Sequence, residues 1–172
     1  PLSIGGPSEP KVELLHECLT DNPGPRLIWT YHRAVAERVA EALGNDARYI
    51  HGGTPDTVRR DHLALWKRGE YSYLVATLGT ISESVTLTRA SIATYYQLYY
   101  RPLLLEQSEA RIHRISTTKT CTIEYLYLRG GINHYADRVA QYKQSVIDAV
   151  RFNPANPIID RQRLLELVQE GF

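Results

Sequence analysis

Short apolar runs alternate with amphipathic helical stretches along most of this chain, and that alternation constrains the fold more than any other feature. Arg26 to Tyr31 (RLIWTY), Arg48 to Ile50, Tyr73 to Thr77 (YLVAT), Ile92 to Tyr96 and Thr122 to Leu128 read as short buried strands. Between them, apolar residues at helical spacing predict helices over Ala34 to Leu43, from the Gly52, Gly53, Thr54, Pro55 turn to about Arg68, near Glu106 to His113, and over about His134 to Val150. Another helix precedes the first strand, over Lys11 to Leu19, and the Asp21, Asn22, Pro23, Gly24, Pro25 cluster stops it. Thr54 is expected to cap the helix that ends near Arg68. Parallel strands need long crossovers, which helices of this length supply. The expected fold is α/β, a doubly wound, mainly parallel sheet flanked by helices.

The domain division follows from composition. Residues 1–10, rich in Pro, Gly and Ser, read as a linker, 11–152 as the α/β domain, and 153–172 as a tail with a short helix over Arg161 to Gln169. The 172 residues are 43% hydrophobic and 23% charged, enough for a packed core. A formal net charge of +1 makes no demand for a nucleic-acid or membrane partner, so any such site must rest on local charge placement. Cys18 and Cys121 lie far apart without metal-ligand spacing, and the six histidines form no ligand triad. No apolar run approaches the roughly 20 residues that span a bilayer, so a soluble cytoplasmic protein without a membrane partner is expected. With Pro1 first and no methionine anywhere, the chain is expected to be a piece of a larger protein.

The string Gln107, Ser108, Glu109, Ala110, Arg111, Ile112, His113, Arg114, Ile115 (QSEARIHRI) carries the most specific chemistry. On a helix, Arg111 and Arg114 project from one face, with Gln107 one turn earlier on the same side. Two guanidiniums and an amide on one surface can bind phosphate oxygens bidentately. By itself the pair also fits a solvated helix face. The string resembles motif six of superfamily-two helicases, especially the Swi/Snf-type branch, whose pattern is roughly QxxxRxHRI. The resemblance implies the second RecA-like lobe of a helicase or translocase. It also implies that Arg114 is the arginine finger for ATP held by the first lobe, that Arg111 is a second phosphate contact, and that Gln107 supports both. A fixed positive fork suits the charge that develops during phosphoryl transfer.

Two further segments join that resemblance. Ala76 to Leu87 (ATLGTISESVTL), leaving the YLVAT strand, is similar to motif five, whose loop touches the nucleic-acid backbone on one side and the nucleotide on the other. Thr77, Gly79, Thr80 and Ser82 are the implied backbone contacts, Glu83 and Ser84 the implied nucleotide contacts. Relatives usually carry a glycine where this chain has Ser84 after Glu83. Leu27 to His32 (LIWTYH) and His51 to Thr54 (HGGT) resemble motif four and the glycine turn after it, implying that Thr30, Tyr31, His32, Gly52, Gly53 and Thr54 face the phosphodiester backbone. Contacts of this type grip phosphates without reading bases. The basic residues Arg59, Arg60, Lys67 and Arg68 read as a solvated helix face, and Tyr95, Tyr96, Tyr99 and Tyr100 as core and rim packing.

The chain contains no GxxxxGK[ST] loop and no DExx-type strand end. ATP and Mg2+ are therefore expected to be held mainly by a first RecA-like lobe of the same protein, and the fragment alone is expected to be inactive. DNA is the expected partner ahead of RNA. The alternative is a non-catalytic RecA-like module that binds nucleic acid or protein. A dinucleotide-binding sheet is disfavoured by the lack of a GxGxxG turn after the first strand.

Overall fold

The computed structural model describes residues 9–80, 87, 89–97, 107–108, 121–128, 138–139 and 141–145. Helix α1 (Glu9–Asp21) precedes strand β1 (Arg26–Thr30). Helix α2 (Arg33–Leu43) and a 3-10 turn (Gly44–Asp46) lead to β2 (Ala47–Ile50). Helix α3 (Asp56–Arg68) leads to β3 (Tyr73–Thr77), and β4 (Ile92–Tyr95) and β5 (Thr122–Tyr125) complete the sheet. Five strands lie in the order β2-β3-β1-β4-β5, each pair parallel. The expected doubly wound RecA-like α/β sheet is the observed fold. Gln107 and Ser108 are helical, as are Arg138, Val139 and residues 141–145; the rest of those two expected helices and the tail helix lie outside the described residues.

β1 runs through the middle of the sheet with all five residues buried, because helices cover both faces. Alternate side chains sort its neighbours. Leu27 and Trp29 pack with Leu63 and Trp66 of α3, together with Leu74 and Ala76 of β3. Ile28 points the other way, into a cluster with Leu15 and Leu19 of α1 and Val35 and Val39 of α2. Tyr95 and Tyr96 are successive and both fully buried, one in each cluster. Helix α3 ends where Gly69 adopts a left-handed φ of 90° and its N–H bonds to the carbonyls of Leu65 and Trp66.

The expected Thr54 cap is not formed. Pro55 occupies the position before the first turn of α3 and offers no side-chain bond, while the Thr54 hydroxyl oxygen accepts the His51 N–H at 3.0 Å. The same side chain could serve either donor, and the tight turn after β2 brings His51 nearer. β1 also stops one residue earlier than expected, since the Tyr31 N–H leaves the strand ladder for the side chain of Gln97.

A buried polar cluster joins β1, β4, β5 and α1. The fully buried Arg26 guanidinium pairs with the Glu124 carboxylate and donates to Thr94 Oγ1 at 2.9 Å. It also donates to the carbonyls of Cys18 (3.1 Å) and Asn22 (2.5 Å) at the C-terminal end of α1. That helix has no basic residue in its own last turn, so Arg26 supplies the positive charge its carbonyl end favours.

Lys11, on α1, is 8% exposed, with its Nζ 4.8 Å from the Tyr96 ring centroid. Burial pushes its amine down from 10.5 to about 8. Folding therefore disfavours the charged form, a cost fully present below about 8 and lost as the pH rises toward 10.5. The Tyr96 ring offsets part of that cost by attracting the cation. Lys11→Met is accordingly expected to stabilise the fold at pH 7 by about 1 kcal/mol, with a smaller gain at pH 10. Denaturant midpoints at the two pH values check this, and a net loss at pH 7 would refute it.

Candidate nucleic-acid interface

Because the strands are parallel and nearly level, their C-terminal ends open on one edge of the sheet: Thr30 pairs with Thr77, Ile50 with Ala76, Trp29 with Tyr95, and Tyr95 with Tyr125. Ligands of open α/β sheets bind at such an edge. The turns singled out in the sequence lie along it. Leu78, at the exit of β3, donates its N–H to the Thr30 carbonyl at 2.9 Å, joining the turn after β1 to the turn after β3.

Within these turns the candidate residues divide by burial. Thr30 is fully buried and lies 3.5 Å from the Ala76 carbonyl; Thr54 and Thr77 are also buried, at 8% and 6% exposure. Thr77 bonds hydroxyl to hydroxyl with Thr80, whose N–H donates to the Thr77 carbonyl at 3.1 Å. Thr54 and Thr77 hold their turns in shape, while Thr30 reaches from β1 to β3. Gly79 is exposed with a left-handed φ of 86°, which favours glycine there. Tyr31, Gly52 and Gly53 are exposed, and His32 and Thr80 half-buried. Tyr31 meets the His32 ring edge-on, 4.7 Å between centroids.

Helix α2 links the turn after β1 to the turn after β2. Glu37 receives the Arg33 Nε at 2.9 Å and lies 3.3 Å from His51 Nε2. His51 Nδ1 accepts the Gly53 N–H at 2.9 Å, so the proton of a neutral ring sits on Nε2, facing Glu37. The hydrogen bond from Arg33 holds the Glu37 carboxyl below its ordinary range. Gly53 leaves room for this close approach: a Cβ there would lie 3.2 Å from an Arg33 guanidinium nitrogen and 3.3 Å from the His51 ring, so those neighbours would have to shift by a few tenths of an ångström. The Arg33 side chain, 66% exposed, lies across the glycine turn.

Gln97, beyond the end of β4, is buried, and its Oε1 accepts the N–H groups of both Tyr31 and His32 at 3.1 Å. Tyr95, the last residue of β4, bonds through its hydroxyl to Ser108, which is buried beside the exposed Gln107. The start of the QSEARIHRI string is thus tied to the end of β4. Arg111, Arg114, Ser82, Glu83 and Ser84 lie outside the described residues.

Sequence reasoning missed Arg33, Glu37 and Gln97. The Arg33–Glu37 spacing of one helical turn was a readable signal. Gln97 had none, since its partners are far away in sequence.

A family model described as the helicase conserved C-terminal domain matches residues 10–116. The chain belongs to that family. The helicase C-terminal domain is also similar, at 27% identity over 149 residues, to the SWI/SNF-related matrix-associated actin-dependent regulator of chromatin subfamily A-like protein 1 of Xenopus tropicalis. That match covers 84% of the chain and 16% of the relative. The DNA annealing helicase and endonuclease ZRANB3 of Homo sapiens is 27% identical over 111 residues, covering 62% of the chain and 10% of that protein. The chain therefore spans about a sixth or less of the curated relatives it matches. Among solved structures, the C-terminal part of the Fun30 ATPase domain superposes with a TM-score of 0.66 at 19% identity, over 76% of this chain and 44% of that one. The fold is thus that of a second RecA-like lobe, and the Swi/Snf-type resemblance read in QSEARIHRI agrees with the relatives.

Proposed function

We propose that this domain is the second motor lobe of an ATP-driven translocase that moves on DNA. The observation that carries the proposal is the placement of three turns on one sheet edge, in a chain of the helicase C-terminal family: Tyr31 and His32 after β1, Gly52 and Gly53 after β2, Gly79 and Thr80 after β3. The exposed members of these turns, with Ser82, grip the phosphodiester backbone. Thr54 and Thr77 shape their turns from within, and Thr30 sits between β1 and β3. A grip of this kind is largely independent of sequence and weakens with salt.

On the nucleotide side, Arg114 serves as the arginine finger and Arg111 as a second phosphate contact, with Gln107 supporting them and Glu83 and Ser84 bordering the nucleotide. The guanidiniums suit the triphosphate, but they cannot bind Mg2+, and among the described residues no group of three or more His, Cys, Asp or Glu could hold a metal. Mg2+ and most of ATP are assigned to a first RecA-like lobe, as the resemblance implies. ATP hydrolysis supplies the energy for closing and reopening the two lobes. DNA is favoured over RNA by the Swi/Snf-type resemblance: ZRANB3 acts on DNA by name over 111 matched residues, while a DEAD-box ATP-dependent RNA helicase of Oryza sativa matches over only 72.

The test is ATP hydrolysis by residues 1–172, with and without DNA, beside the longest natural protein containing them. The expected result is a silent fragment and a DNA-stimulated parent. If both are silent and the fragment still binds DNA, the domain is a binding module and the motor reading fails.

A further inference from the structure

We propose that Gln97 is a positioning residue for the nucleic-acid grip: its carboxamide oxygen, accepting the Tyr31 and His32 N–H groups together, sets the turn that opens α2. The inference rests on the functional reading above.

The argument begins with two consecutive amides at the exit of β1. His32 is the residue before the first turn of α2, with φ −93° and ψ 137°, and its own side chain forms no capping bond. Tyr31 has already left the strand ladder. Backbone donors in this position need an acceptor from elsewhere. β1 is hydrogen-bonded to β4, and the Tyr96 N–H donates to the Trp29 carbonyl at 2.9 Å, which carries the β4 exit alongside the β1 exit. Gln97 is therefore delivered to the turn by the sheet itself. At 6% exposure it has little freedom to swing away.

Only the oxygen of the carboxamide can accept both bonds, so its rotamer is determined. Tyr31 itself is exposed on the sheet edge. One residue on either side of Tyr96 thus makes a different connection. Tyr95 holds Ser108 at the start of the arginine-bearing string, and Gln97 holds the turn that grips the backbone. Strand β4 joins the two ends of the motor cycle.

The experiment uses the full-length protein carrying Gln97→Leu, Gln97→Asn or Gln97→Glu. Leucine removes the acceptor; asparagine keeps polarity but withdraws the oxygen by one methylene, guarding against loss of folding. Glutamate retains an oxygen able to accept both amides. The DNA concentration for half-maximal ATPase stimulation is expected to rise about tenfold in the Leu and Asn variants, equivalent to about 1.4 kcal/mol. The rate at saturating DNA should change by less than about twofold; Gln97→Glu is read by hydrogen exchange alone, because a carboxylate beside the grip would itself repel the phosphodiester backbone. Hydrogen exchange at Tyr31 and His32 should quicken in the Leu and Asn variants and recover in the Glu variant. An unchanged half-maximal concentration, equal loss in both kinetic parameters, or unchanged exchange overturns the inference. A parent lacking DNA-stimulated hydrolysis instead overturns the functional reading, while the exchange measurement still judges the contact.

Discussion

Arg114→Ala in the full-length protein is expected to lower DNA-stimulated ATP hydrolysis by about 10³-fold or more, the scale of arginine-finger loss in related phosphoryl-transfer enzymes. Negative charge develops on the transferring phosphoryl group, and a guanidinium brought up by lobe closure is of use only then. DNA binding should largely survive, because the grip proposed on the sheet edge uses other residues. Arg114→Lys should remain poor, since an ammonium is a compact charge without the planar fork. Single-turnover hydrolysis with saturating DNA, beside equilibrium DNA binding, separates the outcomes. Undiminished hydrolysis with Ala at position 114 would remove the arginine finger from the mechanism.

Glu124→Ala is expected to destabilise the domain by about 3–5 kcal/mol. The Arg26 guanidinium is fully buried, and Glu124 is its one anionic partner among the described residues; the other acceptors are Thr94 and the Cys18 and Asn22 carbonyls. Removing the carboxylate leaves a buried charge facing neutral oxygens. It also takes acceptors from Asn22 Nδ2 and Thr94 Oγ1. Replacing both members, as Arg26→Met with Glu124→Leu, should recover much of the loss, because neither charge then needs compensation. Thermal unfolding of the two variants beside the parent checks the pair. A loss under about 1 kcal/mol on Glu124→Ala would place this contact with ordinary surface ion pairs.

Much of the architecture was legible in local pattern. The YLVAT segment is a strand over the residues expected, Tyr73–Thr77, because a short apolar run bounded by polar turns has few other ways to be buried. Helix α2 likewise begins within one residue of its expected start, its Val35, Ala36, Val39 and Ala40 repeating at helical spacing. Errors arose where one side chain had two possible partners. Thr54 was eligible to cap α3 and instead serves His51, and Tyr31 was apolar enough to extend β1 and instead stands exposed beyond it.

The amino-acid sequence by itself determined the order of strands and helices and the family, because hydrophobic period and motif spacing are properties of neighbouring residues. Tertiary structure decided that β1 lies between β3 and β4, which of the candidate threonines are buried, and that Arg26 meets Glu124 and Gln97 meets the Tyr31 and His32 amides. Those pairings span 98, 66 and 65 positions for Arg26–Glu124, Gln97–Tyr31 and Gln97–His32. Such partners come into reach only when crossover helices bring distant strands together, so no local pattern along the chain records them.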